Sequence, residues 1–196
     1  GAGGSVASGL DPLVEVADNF WLLPSPGAER NLPSDLALDV EGLEGLVKQL
    51  QSAGVGWLVV DCPPRMDQWG WAGLRLCREV LIPVQAEFFA MHGLSRMLET
   101  LSEAQERFPG KAQLLGVMAS LVDSRESVSR EGLQDLRQNL GDKLLDSVMY
   151  RDSAYVEAAS HGVTILTHAP FSKGARAAIE MTREVLHGRP QTRTRT

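Results

Sequence analysis

Cysteine is nearly absent: Cys62 and Cys77 are the only two in 196 residues. Neither stands in a metal-ligand spacing, which excludes a disulfide framework and a cysteine-held metal; both read as reduced thiols of a cytosolic protein. Histidine is equally sparse. His161 and His168 lie seven apart, and His92 and His187 are isolated, so no histidine-rich metal motif is present. No apolar run approaches ~20 residues, and a membrane-spanning helix is excluded. The opening Gly1-Ala2-Gly3-Gly4-Ser5 has neither a basic stretch nor an apolar core, so it is not a signal peptide. It also lacks an initiator Met, which suggests a fragment beginning inside a larger protein. Positive charge is in deficit, with a formal net charge of −6. Any contact with nucleic acid must therefore come from a local basic patch.

What is present is an ordinary globular composition, 43% hydrophobic and 22% charged, of a length that suits one domain. One domain is expected over 1–188. The tail, 189–196, contains arginines but no apolar residue and is expected to be disordered. Residues 1–34 are rich in Gly, Pro and Ser, except for Asn19 to Leu23, which predicts a short strand ended by Pro24. Leu36, Val40, Leu43, Val47 and Leu50 form one helical stripe that Ser34 or Asp35 can cap and that Gly54 and Gly56 end. Trp57-Leu58-Val59-Val60 is a continuous apolar run, the pattern of a strand buried on both faces. The alternation continues with a helix near 68–78, a strand over Val80–Val84 and a helix marked by Leu94, Leu98 and Leu101. Next come a strand over Leu114–Met118, a helix marked by Leu133, Leu136 and Leu140, and a strand over Leu144–Met149. A helix over 153–160, a short strand over Val163–Leu166 and a last helix from Ser172 to Leu186 complete the pattern. Strands alternating with helices predict an α/β fold with a mostly parallel sheet flanked by helices.

Open parallel sheets bind ligands at the carboxyl ends of their strands. Asp61-Cys62-Pro63-Pro64 and Pro83-Val84-Gln85-Ala86-Glu87 stand at two such ends. An apolar strand ending in Asp is the Walker B arrangement, in which the carboxylate holds Mg²⁺, usually through water. Alone this signal is weak, because Asp61 could equally cap the next turn.

The longer pattern is specific. Trp57 to Pro64, followed by Ile82 to Leu94, resembles the ParA-type ATPases of the ParA/MinD superfamily, which read "IIDCPP" and then "IPVQ-x-E". In order along the chain, Gly4 to Leu10, Phe20 to Ser25, Gly116 to Arg125, Glu157 to Gly162 and Pro170 to Ala175 are similar to further family motifs, so the resemblance spans Gly4 to Leu186. It implies a P-loop NTPase-like fold of the deviant Walker A class. It also implies ATP and Mg²⁺ as cofactors, a homodimer when ATP is bound, nucleoid DNA bound without sequence preference, a ParB-like stimulating partner, and a cytoplasmic, nucleoid-associated protein with no membrane contact. By family match Asp61 holds Mg²⁺ through water; Arg151 and Asp152 face the adenine; Pro63, Gln85 and Glu87 belong to switch segments; and Arg125, Lys173 and Arg176 contact DNA. A second family arginine is replaced by Ala154.

The family's first segment, a strand, a "KGGVGKTT" loop and the strand after it, has no counterpart in these 196 residues. G-x-x-x-x-G-K-[ST] does not occur; the only Gly-Lys pair, Gly110-Lys111, is followed by Ala112. Without the backbone cradle, the lysine and the Mg²⁺-binding hydroxyl, no catalytic residue stands in this chain, and no ATP hydrolysis by the chain alone is expected. The function expected is a ParA-like partitioning or positioning protein. Its rivals are a nucleotide-free interaction module and a dethiobiotin synthetase-like ligase of the same superfamily.

Overall fold

The computed structural model describes residues 13–24, 39–63, 66–87 and 90–187. They form two compact units, one through Trp69 and one from Gly70. In the first, β1 (Val14–Ala17) pairs antiparallel with β2 (Phe20–Leu22). Asn19, at φ 59°, makes the turn, a left-handed conformation that Asn tolerates better than most residues. The strand expected near Phe20 is therefore half of a hairpin whose other half the sequence pattern did not mark. Helix α1 (Val40–Ser52) starts at Asp39, whose Oδ1 accepts from the N–H of Gly42 at 2.8 Å, and Gly54, at φ 88°, follows its end. The expected caps Ser34 and Asp35 lie outside the described residues, and the observed cap is Asp39.

The run Trp57–Val60 is not a strand. It carries no regular structure, and Trp57, Leu58 and Val59 are 60%, 46% and 87% exposed. Apolarity marks residues that gain from burial, but a strand exists only where a neighbour accepts its ladder, and no described strand pairs with this run. Asp61 and Pro63 consequently follow an irregular segment rather than a sheet end.

The second unit is the α/β layer the sequence predicts. Helix α2 (Gln68–Leu76) contains the boundary between the units. Strands β3 (Glu79–Gln85), β4 (Gln113–Val122) and β5 (Leu144–Tyr150) form a parallel three-stranded sheet in the order β3-β4-β5. The crossovers are α3 (Ala90–Arg107) and α4 (Ser127–Leu140). After β5 come α5 (Ser153–Ser160), α6 (Ile165–His168) and α7 (Lys173–His187). The strand expected over Val163–Leu166 is instead the turn of α6. Thr164 caps it, its Oγ1 accepting from the N–H of Thr167 at 3.2 Å, and a short apolar run fits either state until such a cap decides it. The core is formed by Ile82, Val117, Ala119, Val122, Leu94, Leu101, Leu136, Leu145 and Val148. Each large side chain among them contributes about 1.5–3 kcal/mol by leaving water. Trp71 packs here rather than on a free surface: it stands edge-on to Phe108 at 6.4 Å, with the Arg107 guanidinium 5.0 Å from its ring.

Two contacts fix the layers. Glu184 of α7 is 8% exposed, and its carboxylate accepts from the N–H groups of Asp146 at 2.7 Å and Ser147 at 2.9 Å. It thereby satisfies donors along the outer side of β5. At the other contact α4 crosses the end of β3 so closely that a Cβ on Gly132 would lie 2.7 Å from the carbonyl carbon of Ala86 and 2.8 Å from its oxygen. Ala in a helix interior ordinarily stabilises by about 1 kcal/mol over Gly. Here the obstacle is backbone, which cannot swing aside, so Gly132→Ala is expected to destabilise by about 1–3 kcal/mol. Urea unfolding checks this as a lowered midpoint at unchanged slope.

Candidate functional site

Parallel pairing brings three strand ends to one edge of the sheet. Gln85 pairs with Ser120, and Val122 with Tyr150. The residues that follow are Ala86 and Glu87, then Asp123 to Arg125, then Arg151 and Asp152. The N–H of Arg151 donates to the carbonyl of Val122 at 3.0 Å, tying the last two ends together. Gln85 and Glu87 are exposed there.

Strand β4 reaches this edge through an irregularity. Its pairing with β5 shifts register between Ala119 and Val122, and Leu121, 45% exposed, sits at φ 52°. A leucine in the left-handed region is unfavourable, and such bulges re-aim the residues beyond them. The residue re-aimed is Asp123, 7% exposed, whose N–H donates to Ser129 Oγ at 3.0 Å.

Asp123 clamps Arg125. Nε of Arg125 donates to Oδ1 at 2.9 Å and an NH₂ group to Oδ2 at 2.6 Å, while the backbone N–H of Arg125 also reaches Oδ1 at 3.0 Å. These bonds, the side-chain pair foremost, hold the Asp123 carboxyl well below the usual carboxylate range, with the charges of Arg125 and Arg151 adding to the effect. The Arg125 side chain is 85% exposed. It is oriented from below by a bidentate partner, and its remaining N–H donors face solvent.

Asp152 acts differently. Its Oδ1 accepts from the N–H of Ala154 at 3.0 Å, capping α5, and its Oδ2 accepts from the N–H of Gly174 at 2.8 Å, in the first turn of α7. Those two backbone bonds, then the charge of Lys173, lower its pKa. Tyr155 completes the joint: its hydroxyl donates to the carbonyl of Gly174 at 2.9 Å. A Cβ on Gly174 would meet Ile165 at 2.7 Å and Tyr155 at 2.8 Å. Beside this joint the Lys173 ammonium lies over the Tyr150 ring, 3.4 Å from its centroid. Arg151 and Arg176 are exposed.

The structure thus gathers Gln85, Glu87, Arg125, Arg151, Asp152, Lys173 and Arg176 around one end of the second unit. Asp61 and Pro63 belong to the first unit; among the described residues no group of three or more His, Cys, Asp or Glu could hold a metal ion. Sequence reasoning missed Asp123, Tyr155 and Gly174. Asp123 lay inside the motif that marked Arg125, and an Asp two residues before an Arg is the signal that could have found it.

A family described as an AAA domain matches residues 16–114. The chain is 31% identical over 177 residues to the chromosome-partitioning ATPase Soj of Thermus thermophilus, which covers 90% of this chain and 70% of that protein. The fold is similar to that of the cell division ATPase MinD of Pyrococcus furiosus, with TM-score 0.68, 21% identity, and 89% and 69% of the two chains covered. It is also similar to a cobyrinic acid a,c-diamide synthase of Mycobacterium smegmatis with bound ATP analog and magnesium, with TM-score 0.66, 26% identity, and 91% and 68% covered.

The Asp152 joint predicts a pH response. Its carboxyl titrates lower when folded than when unfolded, where Asp has a pKa of about 3.9. Its contribution is therefore fully present above about pH 4 and is lost as pH falls through the lower folded value. Asp152→Ala should cost roughly 1–3 kcal/mol at neutral pH, from two lost charge-assisted bonds. Asp152→Asn should flatten the acid limb of stability against pH, measured by urea unfolding from pH 7 down to pH 3.

Proposed function

Because the chain belongs to the ParA/Soj family of partitioning ATPases, we propose that it works as a ParA-like partitioning or positioning protein whose basic sheet end contacts the phosphates of DNA. The observation that carries this reading is the Asp123–Arg125 clamp, which fixes a guanidinium in an outward pose after the carboxyl end of β4; Lys173, over Tyr150 at the carboxyl end of β5, and the exposed Arg176 supply further positive charge. Phosphate contact needs positive charge held toward solvent rather than base-edge geometry, so the surface suits DNA of any sequence.

ATP and Mg²⁺ belong to this reading through the family. The fit of this chain to the nucleotide is incomplete. Its residues contain no G-x-x-x-x-G-K-[ST] cradle, Asp61 follows an irregular segment, and both oxygens of Asp152 already receive backbone N–H groups. No catalytic step is therefore assigned to the chain by itself, and ATP-driven dimerisation would require a phosphate loop joined to it. The same observations favour, as a second reading, a nucleotide-free interaction module. A ParB-like partner and a nucleoid location follow from the family and are part of the proposal.

Calorimetry should show no micromolar affinity of this chain for ATP with Mg²⁺; a micromolar constant would overturn the assignment. Gel-shift titration with two unrelated duplexes should give equally weak constants, within or above roughly 10⁻⁴–10⁻⁶ M. Arg125→Glu should weaken both alike and lower the salt slope by about 1. A version joined to a phosphate loop and loaded with ATP should bind more tightly, with the same response to Arg125→Glu. Indifference to that substitution in both versions leaves the interaction-module reading.

A further inference from the structure

The Asp123–Arg125 pair divides the guanidinium into two sides. Nε–H and one hydrogen of Nη2 donate to the carboxylate, at 2.9 Å and 2.6 Å. What remains is the end of the group, Nη1 and the second hydrogen of Nη2, the pair of donors that fits two oxygens of one phosphate. The acid is itself fixed before any ligand arrives. Asp123 is 7% exposed, its N–H donates to Ser129 Oγ at 3.0 Å, and its Oδ1 also receives the backbone N–H of Arg125 at 3.0 Å. The turn is closed by the Glu126 N–H, which donates to the Asp123 carbonyl at 3.1 Å. A long exposed side chain ordinarily samples many rotamers and loses them on binding; at Arg125 folding has already restricted them. Asp123 and Glu126 flank this arginine, and they differ. Asp123 holds it through hydrogen bonds, whereas the exposed Glu126 acts on it by charge. Both carry the sign that repels a phosphate.

We infer that Asp123 is a positioning residue for phosphate contact: it presents the Nη1–Nη2 end of Arg125 in a fixed pose, and this hold outweighs the repulsion of its own charge. The inference rests on the reading of this sheet end as a surface for DNA phosphates. Two effects of the same acid oppose each other. By charge alone, removing a carboxylate beside a phosphate contact tightens binding. By position, removing this one frees Arg125 and weakens binding. Asp123→Asn separates the two effects cleanly. It retains an oxygen for the backbone N–H of Arg125 and leaves the bond to Ser129 untouched, so what it removes is the side-chain hold and one negative charge.

A fluorescent duplex titrated with the full chain at low salt, followed by anisotropy, measures the outcome. Asp123→Asn should weaken the duplex constant about 2- to 10-fold, the effect of ordering one long side chain on binding. Glu126→Gln makes the same change of charge next to Arg125 and should tighten the constant instead. In an Arg125→Ala background Asp123→Asn should no longer weaken binding, whereas damage to the fold would weaken it in both backgrounds. A second readout needs no DNA. In NMR spectra of the nitrogen-15-labelled chain, the Nε–H signal of Arg125, identified by its absence from Arg125→Ala, should exchange with water more slowly than that of the exposed Arg176. Asp123→Asn should abolish that protection. Unchanged or tighter binding by Asp123→Asn, while Arg125→Ala still weakens it, would overturn the positioning role and leave the DNA reading standing. An Arg125 Nε–H that exchanges as fast as that of Arg176 would overturn the role as well. No duplex binding at low salt, or indifference to Arg125→Ala, would overturn the DNA reading itself and the positioning role with it.

Discussion

One carboxylate holds the functional end of the second unit together. Asp152 is the residue at which β5 stops and α5 begins, and it is also the acceptor for the first turn of α7, 22 residues further on. A single charge thus serves two helix N-termini, where unsatisfied N–H groups would otherwise need water or another acceptor. Much depends on that bridge. Gly174 approaches so closely that a Cβ there would push on the side chains of Ile165 and Tyr155, and the Tyr155 hydroxyl reaches its carbonyl. Ala154, Ala158, Ile165 and Ala175 close into a small apolar cluster beneath, and Lys173 is brought over Tyr150. The bridge uses a group that the family resemblance assigns to nucleotide contact.

The basic side chains of the same edge depend on a second carboxylate. Asp123 is buried, and it stands where β4 has left its regular register at Leu121. The strain of a leucine in the left-handed region is offset by the bidentate hold on Arg125 and by the bond to Ser129. A buried acid is thereby matched to an exposed base, and the position of the base in the turn after β4 is set by three hydrogen bonds to that acid.

Much of the second unit was legible in the sequence because its signals are local. Helical stripes such as Leu94, Leu98 and Leu101, and apolar runs such as Leu114–Met118, state their own secondary structure. The 153–160 helix was legible to the residue, and so was the capping of the last helix by Ser172, whose Oγ accepts from Ala175 at 3.0 Å. The failures occur where the outcome rests on a distant partner. Trp57–Val60 has the composition of a buried strand, yet pairing is a property of two segments, and only one of them is written in those four residues. Val163–Leu166 turned on one hydroxyl, that of Thr164. At the site, the residue types were legible from motifs, but the work they do was not. Nothing in Tyr150-Arg151-Asp152 announces that the aspartate will bond a glycine 22 positions later.

The Glu184 contact has a consequence for the growing chain on the ribosome. The donors of Asp146 and Ser147 are satisfied by a residue 38 and 37 positions later. At roughly 5–20 residues per second, synthesis needs about 2–8 seconds to travel from one to the other. Over that interval the outer strand emerges with its edge bare, and it stays so until most of α7 has followed. The nascent chain therefore passes through a stage in which the outer side of β5 is open, and the arrival of α7 is what shuts it.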